Sequence, residues 1–308
     1  MPTPATVRRI AAVAAIVASS LLPADASRAA TSAKSANIGI AFPSLQELKY
    51  YTRADLRDLR DGLHAGFVRT GWIPNRMKYD KVPWQREDRA MHRLCGAGLN
   101  VMIITPSPKD DAKGEDDLYD NIETFFARYD GREPGCIAYA EIANEADLPQ
   151  NGFPDVSAYA RYFERVAPMA ARYGIKVVTS GTSGKDTPWT YALAGLLRAA
   201  GTHVDGFGFH PYGIAPRAMR EALLEMRRAA SDGTNRLPDV YVTELGVQDP
   251  DGLYDAIVDL ADATPALTIF EYEVQNREDR GYGLKDDPRL YRAAQRAVEH
   301  LGKQSDPD

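Results

Sequence analysis

Short apolar runs alternate with stretches of helical period along most of the chain. The runs are Ile38–Phe42, Phe67–Thr70, Val101–Ile104, Ile137–Ile142, Lys176–Thr179, Gly206–His210, Val240–Glu244 and Leu267–Tyr272. They are rich in β-branched and aromatic residues and are bounded by Gly, Pro, Asp or Asn, which predicts eight strands. Between them, apolar residues recur at i, i+3, i+4 spacing. Leu56, Leu59 and Leu63 do so over 53–64, and Leu118, Ile122, Phe125 and Phe126 over 115–129. Tyr159, Tyr162, Phe163, Val166 and Met169 repeat the pattern over 156–173, and Met219, Leu223, Leu224 and Met226 over 216–230. These are the buried stripes of amphipathic helices. Thr52, with Asp55 three residues on, predicts a capped start for the first helix. Pro216 suits the first position of the last, and Pro168 predicts a kink in the third.

Strands alternating with about eight helices predict a single (β/α)₈ TIM barrel over residues 35–302, a fold of about 250 residues, with 303–308 as a frayed tail. The competing α/β fold, an open doubly wound sheet, normally shows a glycine-rich first turn. Here the first run leads into Phe42-Pro43-Ser44.

The segment before the first strand has another character. Arg8 and Arg9 precede a mostly apolar run from Ile10 to Leu22, and Ala24-Asp25-Ala26 offers a small-residue cleavage site. Residues 1–26 therefore read as a signal peptide, cleaved somewhere over 26–30, and predict a secreted or periplasmic protein. The apolar run is too short to span a bilayer. In an oxidising compartment the two cysteines, Cys95 and Cys136, can form one disulfide; two buried free thiols is the other reading.

Charge narrows the partners. The net charge of −6 argues against a nucleic-acid backbone binder, which needs a basic stripe. A monomer is the expected state. The five histidines form no H-x-H or H-E-x-x-H pair, so neither a metal nor a cofactor is predicted.

A barrel of this kind keeps its chemistry where its strands end. The fourth run ends Glu141-Ile142-Ala143-Asn144-Glu145 and the seventh ends Val242-Thr243-Glu244-Leu245-Gly246. Strict alternation puts Glu141, Ala143 and Glu145 on one face, and Val240, Val242 and Glu244 on one face. Both terminal glutamates then project into the barrel mouth. Two carboxylates across a cleft are what glycoside hydrolysis needs: an acid for the leaving oxygen, and a nucleophile or base at the anomeric carbon.

Asn144-Glu145 and Thr243-Glu244-Leu245-Gly246 resemble the signatures of the clan A glycoside hydrolases, of the family 5 and family 39 type. The resemblance spans nearly all of the chain after the leader in element order. It implies a retaining enzyme, with Glu145 as acid/base, Glu244 as nucleophile and Asn144 on the sugar 2-hydroxyl. It also implies Arg69 beside the nucleophile, and His210 and Tyr212 at the sixth strand end. Tyr272 and Glu273, on the eighth run, are further candidate substrate contacts. Two departures stand out: Ala146 replaces a usual proline, and Val274 lies where many members carry a tryptophan.

Trp72 and Trp84 follow the second run and Trp189 the fifth. Trp72 and Trp189 are candidate platforms for stacking on sugars; packing on the barrel rim is the alternative. Gly206 and Gly208 leave room for a close ligand approach. Glu145 is expected to have a raised pKa, from a neighbouring carboxylate and partial burial. The reading is a retaining glycoside hydrolase of a polysaccharide or oligosaccharide. A non-catalytic glycan-binding protein on the same barrel is the alternative.

Overall fold

The computed structural model describes residues 37–72, 74, 84–110, 115–231, 233, 237–269, 283–284 and 287–304. The expected leader, Tyr272, Glu273, Val274 and the end of the tail lie outside the described residues. Among the described residues, nine parallel strands are interleaved with eight α-helices. They are β1 (Asn37–Ser44), β2 (Phe67–Gly71), β3 (Asn100–Ile104), β4 (Ile137–Ile142), β5 (Lys176–Thr179), β6 (Thr182–Ser183), β7 (Phe207–His210), β8 (Val240–Leu245) and β9 (Ala266–Ile269). The helices are α1 (Arg53–Gly62), α2 (Gln85–Gly96), α3 (Glu115–Arg132), α4 (Val156–Ala171), α5 (Thr187–Ala199), α6 (Pro216–Ala230), α7 (Pro250–Leu260) and α8 (Pro288–Gln304).

The strand order is β5-β4-β3-β2-β1-β9-β8-β7-β6. Its two ends are consecutive in sequence: β5 and β6 are one strand line, broken only at Ser180 and Gly181. Val178 bridges Gly206 in parallel, and Thr179 N donates to Gly206 O at 3.0 Å. The ring therefore closes, and β5 with β6 makes the fifth of eight barrel strands. This is the expected (β/α)₈ barrel, with the fifth strand in two pieces.

Local chemistry sets the helix starts. Thr52 accepts from the Asp55 amide while Asp55 accepts from the Thr52 amide at 2.6 Å, a complete capping box for α1. Pro216 opens α6 as expected, and Pro168 sits inside α4, which runs on to Ala171. Cys95 at the end of α2 and Cys136 just before β4 form a disulfide with their Cα atoms 5.7 Å apart, which decides between the two readings of the cysteines. Among the described residues no helix is long and apolar enough to cross a membrane.

The apolar interior has two parts. One lies between the barrel wall and the helices and takes Val240, Val242 and the helix stripes. The other plugs the barrel itself with Phe67, Met102, Tyr139, Val178, Tyr241 and Ala266. Tyr241 is thus on the inner face and Val240 and Val242 on the outer one, the reverse of the side that strict alternation from Glu244 requires.

Gly206, just before β7, and Gly208 within it correct a second expectation. A Cβ on Gly206 would strike the ring of Tyr241, and one on Gly208 would strike the backbone of Thr179 and Gly181. The room they leave is filled by the protein, not by a ligand.

Candidate active site

The site sits one layer above the plug, and its centre is Arg69 of β2, which is buried. Its guanidinium splits three ways. Nε donates to Glu141 Oε2 at 2.5 Å, Nη1 donates to Glu244 Oε1, and Nη2 donates to Asn144 Oδ1 at 2.7 Å. A rigid planar fork can hold three acceptors in one fixed arrangement, which a lysine could not. The pair with Glu141 and the contact with the nucleophile candidate coexist.

Glu244 owes its position to an irregularity. The pairing of β8 with β9 shifts between Val242 and Leu245. Thr243 faces inward after Tyr241, so regular alternation would send Glu244 outward. The irregularity brings its carboxylate back to Arg69 and to Tyr212, whose hydroxyl donates to Glu244 Oε2 at 2.6 Å. Burial and the Glu244 charge push the Tyr212 phenol far above its ordinary pKa, so it stays a donor.

Glu145 is placed by a different device. β4 ends at Ile142, and the chain then takes left-handed backbone at Ala143 (φ 64°) and Glu145 (φ 44°). Non-glycine residues there cost about 1–3 kcal/mol each and persist only where the surroundings enforce them. The surroundings do so here. Thr105 Oγ1 accepts from Ala143 N at 3.0 Å, and Ser180 Oγ accepts from Ala146 N at 2.9 Å. The Glu145 carbonyl accepts from Leu148 N at 3.0 Å and from Asn151 Nδ2 at 3.1 Å. The turn folds the Glu145 carboxylate back over the mouth, 3.3 Å from His210 Nδ1.

His210, at the end of β7, is fully buried. Nδ1 also lies 3.6 Å from Glu244 Oε2, and Nε2 lies 3.0 Å from Thr243 Oγ1 and 3.6 Å from Glu141 Oε1. Burial disfavours its charge. The Glu244 charge and the hydrogen bonds to Glu141 and Glu145 outweigh that and raise its pKa to about 9. The same imidazolium reverses the expectation for Glu145. Burial would raise its pKa, but the His210 hydrogen bond and charge, with help from Ser183 and Arg69, bring it below the ordinary value.

Glu145, His210 and Glu244 each offer one ligand-type atom, all within 4.8 Å of one another. A dication there would have to displace the Arg69 guanidinium from Glu244 and the proton from His210, so these residues fit a metal poorly.

The aromatic platforms fare differently. Trp72 is buried, its ring stacked on Phe125 at 4.6 Å and beside Trp84 at 5.8 Å, so it packs between barrel and helices and offers no face to a sugar. Trp189 is half-buried against Tyr159, with ring centroids 5.3 Å apart. The structure gathers Arg69, Asn144, Glu145, His210, Tyr212 and Glu244. Sequence reasoning gave no part in the site to Thr243 or Gly181. A Cβ on Gly181 would strike His210 Nε2, a constraint the sequence shows only as a glycine after a strand.

No protein-family model matches the chain, and no curated protein matches it in sequence. Solved structures do match. A GH39 β-xylosidase from Caulobacter crescentus aligns with TM-score 0.69 at 15% identity, over 86% of this chain and 71% of that one. A GH39 enzyme from Xanthomonas axonopodis pv. citri aligns with TM-score 0.70 at 16% identity, over 90% of this chain and 68% of that one. An endo-1,4-β-mannanase from Rhizomucor miehei gives TM-score 0.57 at 13% identity, over 87% and 95%. The chain thus has the (β/α)₈ fold that these glycoside hydrolases share.

Proposed function

We propose that the chain is a retaining glycoside hydrolase of a polysaccharide or oligosaccharide, exported by its leader to the periplasm or the exterior. The observation that carries the reading is the close approach of Glu145 and Glu244 at the mouth, oxygen to oxygen within 4.8 Å. A close approach of this kind supports double displacement, which uses two carboxyl groups about 5–5.5 Å apart.

Glu244 attacks the anomeric carbon, held ionised and aimed by Arg69 and by the Tyr212 hydroxyl. The glycosidic oxygen leaves with a proton from Glu145, and the aglycone departs. Glu145 then takes a proton from water, which attacks the glycosyl–Glu244 ester and frees the sugar with its configuration retained. In the free enzyme Glu145 is ionised and His210 carries the proton 3.3 Å away. A sugar seated over the pair excludes water and moves that shared proton towards Glu145, which supplies the acid. Asn144, held by Arg69, is placed for the sugar 2-hydroxyl.

The test is incubation with xylan, mannan, β-1,3-glucan and the matching aryl glycosides, with proton NMR of the first-formed anomer. Release of the β-anomer from a β-glycoside is expected. First formation of the α-anomer would replace retention with inversion. Binding without released reducing ends would replace the hydrolase with a glycan-binding protein.

A further inference from the structure

Below the two carboxylates lies a third. Glu141 is completely buried and out of reach of any substrate at the mouth. We propose that Glu141 is a positioning residue for the site above it: it locks the Arg69 fork and obliges the His210 imidazole to carry two protons. The kinetic part rests on the hydrolase reading; the electrostatic part does not.

The argument follows the hydrogen atoms. Glu141 Oε2 accepts from Arg69 Nε at 2.5 Å, and Oε1 accepts from Thr243 Oγ1 at 2.9 Å and from Gly181 N at 3.0 Å. Because Thr243 gives its only hydroxyl proton to Glu141, its oxygen can only accept from His210 Nε2 at 3.0 Å, so Nε2 bears a proton. On the other side of the ring, Nδ1 faces Glu145 at 3.3 Å and Glu244 at 3.6 Å. Ionised carboxylates accept only, so Nδ1 bears a proton as well. A bare Nε2 could accept from Arg69 Nη2 only at 3.5 Å, and it would then face the Thr243 oxygen at 3.0 Å lone pair to lone pair, so the protonated Nε2 is the form that fits. The network makes His210 an imidazolium, and its raised pKa agrees. Among the described residues, the charges that face the ring are Arg69 from β2, Glu141 and Glu145 from β4 and its turn, and Glu244 from β8, with the Tyr212 ring 6.0 Å away.

Two cations thus face three carboxylates, and Glu141 is the one that spends no capacity on substrate. It holds the guanidinium plane through Nε, which leaves Nη1 for Glu244 and Nη2 for Asn144. A glutamine at 141 cannot copy this. With its oxygen towards Thr243 and Gly181, its amide faces Arg69 Nε, donor against donor. With its amide towards Thr243, the hydroxyl is free to donate to His210 Nε2, and the ring can drop to its neutral form.

The experiment titrates His210 by NMR on histidine-labelled wild type, Glu141→Gln and Glu141→Asp, with kcat/KM measured against pH in parallel. Glu141→Gln is expected to lower the His210 pKa by about one unit or more. It should move the alkaline limb of kcat/KM down with it and reduce kcat at least about tenfold. Glu141→Asp keeps the charge and should restore most of the titration. If Glu141→Gln does not fold, Thr243→Val serves: it removes the link between Glu141 and His210 within the same volume, and a smaller downward shift is expected. An unmoved His210 titration in the folded variant overturns the proposal, even in an active hydrolase. A moved titration in a wild type that cleaves no glycan sustains it and sinks the hydrolase reading alone.

Discussion

On three strands of the barrel, two residues separate a layer of aromatic packing from a layer of buried polar and charged groups. The step is from Phe67 to Arg69 on β2, from Tyr139 to Glu141 on β4, and from Tyr241 to Thr243 on β8. In the lower layer the rings of Phe67 and Tyr139 lie 5.7 Å apart and those of Tyr139 and Tyr241 5.8 Å apart. Such packing is worth about 25 cal/mol per Å² of apolar surface buried and tolerates small shifts. In the upper layer each group has one orientation that satisfies its neighbours. A buried ion network of this kind roughly breaks even in stability, because desolvation consumes most of the Coulomb gain. The lower layer therefore supplies stability and the upper layer supplies geometry, on the same strands.

The largest effect belongs to the top of the upper layer. Glu244→Gln and Glu145→Gln are each expected to reduce kcat/KM by about 10⁴-fold, with urea midpoints close to wild type. Near-normal turnover in either variant removes that residue from the chemistry.

A matched pair then tests the division. Phe67→Ala empties the plug and should cost about 3–5 kcal/mol of unfolding free energy, with kcat/KM of the folded protein nearly kept. Arg69→Met leaves Glu141 and Glu244 without their cation; it should cost about 3–5 kcal/mol too, but abolish turnover. Urea denaturation beside steady-state kinetics reads both. Equal kinetic damage from the two would merge the layers into one. Smaller again is Tyr212→Phe, which deletes one hydrogen bond to a carboxylate. It should cost about 1.5–3 kcal/mol in transition-state stabilisation, read as kcat/KM about 10- to 100-fold lower.

The two layers were not equally legible in the sequence. The barrel was, because its strands announce themselves by short β-branched runs between Gly, Pro and Asp, and its helices by their stripes. Among the described strands only the two-residue β6 escaped, too short to carry a period. That Glu145 and Glu244 meet at the barrel mouth was legible from their place at strand ends, but not the way each is aimed. Alternation from Val242 gives the wrong face for Glu244, which the irregularity in β8 corrects. No residue type signals the left-handed backbone at Ala143 and Glu145, since neither is a glycine. The sign of the Glu145 shift was missed for a related reason: the expectation rested on a neighbouring carboxylate and partial burial, whereas the group that lowers it is His210, brought from β7. Trp72 read as a sugar platform because loop tryptophans on this face are exposed in principle; Phe125 of α3 covers it.

The smallest prediction concerns the pH dependence of stability, and it again separates the layers. His210 ionises near 6.5 when unfolded and at about 9 when folded. A raised folded pKa means that its contribution is fully present below pH 6.5 and is lost as pH climbs through 9. Glu141 and Glu145 act at the other end. Burial opposes their charge, but Arg69 and His210 for Glu141, and His210 first for Glu145, hold both below 4.5. Their contribution is present above pH 4.5 and lost as pH falls through the lowered values. Urea unfolding at pH 6, 7.5 and 9.5 should therefore show declining stability on the alkaline side in wild type. The decline should flatten in His210→Gln, which removes the titrating ring, and persist in Phe67→Leu, which leaves the upper layer intact. An alkaline slope unchanged in His210→Gln would mean that groups outside the barrel mouth govern it, and that the charged layer holds its proton no more tightly than the unfolded chain does.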